Sequence, residues 1–457
     1  MSIDKILEKA KIAQQQIEFW PQDIVDEMVI AAGWETYKRS EEIARCAIEE
    51  SEMGIYEHKV LKHQKKTLGV LRDMDRVKTT GVIEEDRERG LIKIAKPVGV
   101  VGALTPVTNC EATLPAKALP ALKCRNAIIF APHPKAKKTA ALVTESMQVG
   151  LRNVGAPVDL IQTINEPSID KAKELMSKVD LVIATGGSSM VKSAYSSGTP
   201  AYGVGAGNAV VIVDQSADLP DAAEKIYKGK TFDNATSCSS ENSVVLLDSI
   251  YEDMLHEMKK QGGYLCNQEE RAKLKATMWP DGVHLNKNIV AQPVSKIAQM
   301  AGIQIPEDTT FLMVLGENVG DDDPFYKEKL SLVLTVWKCE TFDQSIEIVR
   351  KITELNGSGH SCGIHSTNES HILKLGHEIK VSRIMVNQPQ SYGNSGNYNN
   401  GMPFTLTLGC GTWGGNITTE NINWKHYLNI TWVSKPIEPV IPDQEKIFAA
   451  YWEKFGK

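Results

Sequence analysis

Val98-Gly99-Val100-Val101-Gly102-Ala103-Leu104, followed by the loop Thr105-Pro106-Val107-Thr108-Asn109 and a helical segment to about Lys123, decides the fold class. An apolar run without alternation belongs to a strand covered on both faces, the condition of strands in parallel sheets. Working outward, further buried-type strands stand at Ala127-Ile128-Ile129-Phe130, Val158-Asp159-Leu160-Ile161, Asp180-Leu181-Val182-Ile183-Ala184 and Ala209-Val210-Val211-Ile212-Val213, with helical segments between most of them. This alternation predicts an α/β chain whose first sheet is parallel and of the dinucleotide-binding kind.

Upstream, residues 1–80 read as helices, with apolar residues at helical spacing from Ile24 to Ala32 and from Ile43 to Ile48, and with no evident chemistry of their own. The expected organisation is a helical N-terminus and dinucleotide-binding domain over 1–230, a second alternating unit over 231–425, and a C-terminal strand and tail over 426–457. That is two Rossmann-type parallel-sheet domains with a short oligomerisation strand. The strand, read from Trp424 to Val433, has two readings: it pairs with a partner subunit, or it is an edge strand of its own chain.

Composition limits the function classes. The formal charge of -6 on 457 residues argues against a general nucleic-acid binder. The eight cysteines form no C-x-x-C pair and no zinc-type spacing, so no metal site is expected and reduced thiols are the simpler reading. The N-terminus is amphipathic and mixed in charge, and no window approaches the ~20 apolar residues of a membrane span, so a soluble, cytoplasmic protein without a membrane partner is expected.

One thiol is set apart by its surroundings. Cys238 lies in Thr231-Phe232-Asp233-Asn234-Ala235-Thr236-Ser237-Cys238-Ser239-Ser240-Glu241-Asn242, among small hydroxyl residues and just ahead of the strand-like Ser243-Val244-Val245-Leu246-Leu247. A thiolate that attacks a carbonyl carbon needs small neighbours and nearby backbone N–H groups, which such a stretch offers. On local sequence alone, a buried packing cysteine remains the other reading.

Two glycine clusters differ in context. Ala184-Thr185-Gly186-Gly187-Ser188 follows a strand and opens a helix, where free N–H groups and the helix dipole hold phosphate or the nicotinamide end of a cofactor. Gly203-Val204-Gly205-Ala206-Gly207-Asn208 precedes a strand, which suits a close backbone approach to another element. Beyond the second strand, Ala131-Pro132-His133-Pro134-Lys135-Ala136-Lys137-Lys138 carries lysines and no acid, which favours a 2′-phosphate and hence NADP over NAD.

Taken together, Thr105-Pro106-Val107-Thr108-Asn109, Arg125 to Ala136, Ala201 to Asn208, the cysteine segment, Lys327-Glu328-Lys329-Leu330-Ser331, Gly357-Ser358-Gly359-His360-Ser361 and Leu408 to Asn416 resemble the aldehyde dehydrogenase superfamily, specifically its CoA-acylating branch. The resemblance covers about residues 5–435. It implies Cys238 as the nucleophile, with the Asn109 amide and the Cys238 N–H stabilising the oxyanion, and Glu328 holding the nicotinamide ribose. It implies a cofactor site, for NADP or NAD, made of Thr105, His133, Lys135, Thr185, Gly186, Gly187, Val204, Gly205, Glu328 and Leu330. His360 matches the branch's Gly-His-Thr motif, with Ser361 in place of the threonine, and is expected to deprotonate or guide an incoming thiol.

The position of the water-activating glutamate of hydrolytic relatives falls on Gly203, which can neither take a proton nor orient water. Coenzyme A is therefore the expected acceptor of the acyl group. The partners expected are a small aldehyde, coenzyme A and further copies of the chain in a homodimer or homotetramer. The segments Asn387 to Gly401, Thr412 to Asn416 and Asn423 to Tyr427 look more like sulfoacetaldehyde enzymes than succinate-semialdehyde enzymes. Their amides and hydroxyls would bind the anionic end without a fixed cation. A non-catalytic, cofactor-binding assembly subunit is the alternative of a different class.

Overall fold

The computed structural model describes residues 2–320 and 322–457, with Ser188 described by its backbone alone. Val100–Thr105 is buried at every position and forms the middle strand of a five-stranded parallel sheet. The order is Ile161–Thr163, Ala127–Pro132, Val100–Thr105, Leu181–Thr185, Ala201–Val204. The strand expected from Val158 begins only at Ile161, because Val158–Leu160 closes a single 3₁₀ turn after Pro157.

Ala209–Val213, expected with the first sheet, belongs to the second. Gly205 to Asn208 carry the chain across, and Val210 then pairs with Ser243 on one side and Cys362 on the other. An apolar run states that a strand is buried but not in which sheet, and hydrogen-bonding partners far along the chain decide that. The second sheet has seven parallel strands in the order Gly263–Leu265, Phe311–Leu315, Val333–Cys339, Glu241–Leu247, Ala209–Val213, Cys362–His365, Ile384–Val386.

A three-stranded antiparallel sheet joins Gly81–Asp86, Leu91–Pro97 and Leu428–Ser434. The C-terminal strand thus pairs within its own chain, from Leu428 opposite Pro97 to Ser434 opposite Leu91, and leaves its other edge open. Ile430, Trp432 and Val433 are exposed on it, and the helix Gln444–Phe455 beyond buries no residue. Among the described residues no helix is long and apolar enough to cross a membrane.

The N-terminal helices Ile3–Ile17, Gln22–Lys38 and Ser40–Ser51 send apolar residues into the core beneath the five-stranded sheet. The next helix, Tyr56–Asp73, departs from that rule. Its inward face buries Lys59, Lys62, His63 and Lys66. Buried ammonium groups require partners, and theirs lie around Cys238.

Candidate active site

The helix Leu219–Thr231 ends in a turn in which Asp233, Asn234 and Ala235 stand at φ 51°, 53° and 60°. Consecutive left-handed residues with a Cβ cost roughly 1–2 kcal/mol each, so the turn persists only where its surroundings over-determine it. Asp233 does most of that work. Its Oδ1 accepts from the Ile55 N–H at 2.7 Å, and its Oδ2 from Lys62 Nζ at 2.5 Å, Thr236 Oγ1 at 2.9 Å and Lys59 Nζ at 3.2 Å. The Asp233 N–H donates to His58 Nδ1 at 2.9 Å. Lys62 and Lys59 also face Glu111, at 2.9 and 3.6 Å, which makes a buried set of two cations and two anions.

Cys238 follows the turn and precedes the strand Glu241–Leu247. Its sulfur lies 3.3 Å from His360 Nε2, and His360 Nδ1 lies 2.8 Å from Ser361 Oγ. The His360 carbonyl accepts from Arg383 Nη2 at 3.1 Å. Burial pushes the Cys238 thiol up to about 12, with Glu328 and Cys410 adding to the shift and Arg383 opposing it. Burial, assisted by the Arg383 charge, pushes His360 down to about 3. At neutral pH the pair therefore rests as a thiol beside a neutral imidazole.

Asn109 starts the helix Cys110–Lys123, whose N-terminal dipole favours negative charge nearby. Its Nδ2 donates to the Thr236 carbonyl at 3.2 Å, two residues before Cys238, and its Oδ1 accepts from Lys62 Nζ at 2.5 Å and Thr236 Oγ1 at 3.3 Å. A narrow cavity opens here, with Lys62, Lys65, Asn109, Thr236, Ser237 and Tyr392 in its wall. The lysines went unnoticed in the sequence, although Lys59, Lys62 and Lys66 recur at i, i+3 and i+7 where an apolar stripe would stand.

The other expected residues gather at the C-terminal edge of the first sheet. Thr105 and Pro132 are register partners, with His133 next, and so are Thr185 and Val204. The strand order reverses between Val100–Thr105 and Leu181–Thr185, the position where such sheets receive ligands. A Cβ added at Gly187 or Gly205 would meet nothing within 4 Å, and one at Gly186 only Met190, so the backbone is open to a ligand. Glu328 lies on the Cys238 side, and its Oε1 is buried with no hydrogen-bond partner among the described residues. Burial pushes this carboxyl up to about 8, against the pull of the Gly207 N–H. A buried acceptor without a donor fits the hydroxyl groups of a cofactor's ribose. Leu330, just beyond, takes a left-handed φ of 43°.

His133 and Lys135 are exposed at the end of Ala127–Pro132, two strands away from Leu181–Thr185. The absence of acids there is a property of the local sequence only. Glu50 receives the Lys138 and Thr139 N–H groups at 2.8 Å, and Glu166 pairs with Lys137 at 2.9 Å.

Two glycines set the shape between these halves. A Cβ on Gly207 would stand 1.8 Å from the Cys238 carbonyl oxygen, so only glycine lets that loop pass so close to Cys238. At Gly203 a Cβ would stand 2.8 Å from Val191 Cγ1 and 2.9 Å from Tyr195 Cε2, and the Tyr195 hydroxyl bridges the Gly203 N–H and carbonyl at 3.0 and 3.1 Å. The place of any side chain at 203 is taken by Tyr195.

The profile of the aldehyde dehydrogenase family matches residues 1–433. The chain belongs to that family. Among its relatives, a sulfoacetaldehyde dehydrogenase of Acholeplasma sp is 49% identical over 97% of this chain and 93% of the relative. A sulfoacetaldehyde dehydrogenase (acylating) of Bilophila wadsworthia is 46% identical over the full length of both. Among solved structures of this family, an acetylating aldehyde dehydrogenase from Geobacillus thermoglucosidasius superposes with a TM-score of 0.94 at 37% identity, covering 96% of this chain and 98% of that one.

Proposed function

We propose that the protein is a CoA-acylating aldehyde dehydrogenase that converts sulfoacetaldehyde to sulfoacetyl-CoA. The observation that carries the acylating half is the filled space at Gly203. Hydrolysis of an acyl-enzyme needs a group that activates water, and Tyr195 occupies the volume in which a side chain at 203 would stand. The names of the two relatives and the cationic lining of the cavity support the anionic aldehyde.

In the forward direction the Cys238 sulfur bonds to the aldehyde carbon as its proton passes to His360 Nε2, 3.3 Å away. The carbonyl oxygen gains the charge, and Asn109 Nδ2 with the Cys238 N–H hold it, a preset arrangement of the kind that commonly contributes a few kcal/mol. Thr105, His133, Lys135, Thr185, Gly186, Gly187, Val204, Gly205, Glu328 and Leu330 would hold NADP or NAD, which when bound supplies the hydride acceptor. The oxidised carbon is then a thioester on Cys238. Once His360 has released the first proton to solvent, it accepts the proton of the CoA thiol, whose sulfur bonds to the acyl carbon as the Cys238 thiolate departs; that thiolate then takes the proton back from His360 and acyl-CoA leaves.

The test supplies aldehyde with and without CoA and follows absorbance of the reduced cofactor. Equal turnover without CoA, with release of a free acid, would overturn the acylating reading. Values of kcat/KM for sulfoacetaldehyde, succinate semialdehyde and acetaldehyde rank the substrate. Exposed Lys135 supports NADP over NAD, which the ratio of kcat/KM for the two cofactors tests. The open edge of Leu428–Ser434 and the unburied helix Gln444–Phe455 support a homodimer or homotetramer, testable by light scattering on the full chain and on a chain ending at Ser434.

A further inference from the structure

The cavity beside Asn109 holds more positive charge than its wall neutralises. Lys59 and Lys62 are matched by Asp233 and Glu111. Lys66 makes no ion pair among the described residues, but its Nζ donates to three oxygens, the Ser395 carbonyl at 2.7 Å, Ser395 Oγ at 2.6 Å and the Gly396 carbonyl at 3.1 Å, so its donors are used in holding that turn.

Lys65 differs from all three. It lines the cavity, is partly buried, and makes no ion pair among the described residues. Its Nζ rests 5.0 Å from the Tyr392 ring and 5.7 Å from the Tyr398 ring. Aromatic faces attract an ammonium without cancelling its charge, so the three donors remain available to a stronger acceptor.

Position on the helix supplies the distance. Lys62 touches Asn109, and Lys65 stands one turn further along the same helix, a rise of about 4.5 Å. Asn109 and Lys65 line one cavity, which lets a short aldehyde place its carbonyl oxygen at Asn109 and its anionic group at Lys65. The Ser237 hydroxyl, in the same wall, offers a second donor to that group.

Resting on the reading of the protein as an acylating aldehyde dehydrogenase, we propose that Lys65 is the specificity-determining residue that receives the anionic end of a short ω-anionic aldehyde, with Tyr392 and Tyr398 holding its ammonium in place until substrate arrives. The fixed cation that the sequence reading left out is thus supplied by the helix Tyr56–Asp73.

The experiment compares kcat/KM for sulfoacetaldehyde with that for acetaldehyde in wild type, Lys65→Met and Lys65→Arg, each at low and high salt with CoA present. The anionic-to-neutral ratio is expected to fall roughly 10- to 100-fold in Lys65→Met, the range of one charge-assisted hydrogen bond, mainly through KM, and to recover most of that in Lys65→Arg. Salt should lower the wild-type ratio and leave that of Lys65→Met unchanged. A ratio kept within about twofold in Lys65→Met, or an equal fall for both aldehydes, overturns the assignment; Lys65→Gln serves if Lys65→Met does not fold. Turnover of the wild type without CoA would instead sink the acylating reading, while the ratio between the two aldehydes still tests Lys65.

Discussion

Lys62 fixes which way Asn109 faces. An ammonium only donates, so the oxygen 2.5 Å from Lys62 Nζ is the amide carbonyl, and the nitrogen must point to the Thr236 carbonyl and the Thr108 hydroxyl. The donor end of the amide thereby faces the Cys238 segment, as the proposed oxyanion role requires. Asn109→Ala is expected to lower kcat by roughly 100- to 1,000-fold, the effect of losing one such donor, with little change in Tm. Saturation kinetics and thermal unfolding of the same preparations check both parts.

The resting thiol makes the second prediction. With Cys238 pushed up to about 12, thiolate is scarce at neutral pH. Alkylation of Cys238 by iodoacetamide in the free enzyme should therefore accelerate about tenfold per pH unit between pH 7 and 10, with no plateau near the usual thiol value. Mass spectrometry of the modified peptide separates Cys238 from the other cysteines. His360, down at about 3, stays neutral over this range and adds no step of its own.

Asp233 ties stability to acid. Burial works to raise its carboxyl, but Lys62 and Lys59 prevail and hold it below its ordinary value. The stabilisation is thus present above the unfolded value of about 3.9 and is lost as the pH falls through the lower folded value. Asp233→Ala leaves two buried lysines facing Glu111 alone, and removal of one member of a buried pair costs about 3–5 kcal/mol. A large drop in Tm at pH 7 that narrows below about pH 4 is the expected result. An equal drop at both pH values would separate Asp233 from this charge balance.

Glu328 should make cofactor binding pH-dependent. Its carboxyl, up at about 8, is protonated in the free enzyme at pH 7 and is a better acceptor for ribose hydroxyls once ionised. Affinity for NADP or NAD, measured by fluorescence titration, should rise between pH 7 and 9 in the wild type. In Glu328→Gln that rise should be absent.

Much of this arrangement was open to sequence reading because it follows periodicity. The unbroken apolar runs at Val100–Thr105, Ala127–Pro132 and Leu181–Thr185 are parallel strands, and Cys238 stands where a polar turn meets a strand. What was not open depends on distant partners. Ala209–Val213 is drawn to Ser243 and Cys362, and Glu50 reaches the Lys138 turn from another helix. The lysines of Tyr56–Asp73 carry no signal in the local sequence, since nothing near them in the chain announces that Asp233 and Glu111 would enclose them.

Asp233, the first of the three left-handed residues ahead of Cys238, is held by Ile55, His58, Lys59 and Lys62, more than 170 residues earlier. The setting of Cys238 is therefore an achievement of the finished tertiary structure. A polypeptide clipped of its first 70 residues would lose every one of these partners and leave Cys238 an ordinary thiol, open to any alkylating reagent but without the setting that Asp233 gives it.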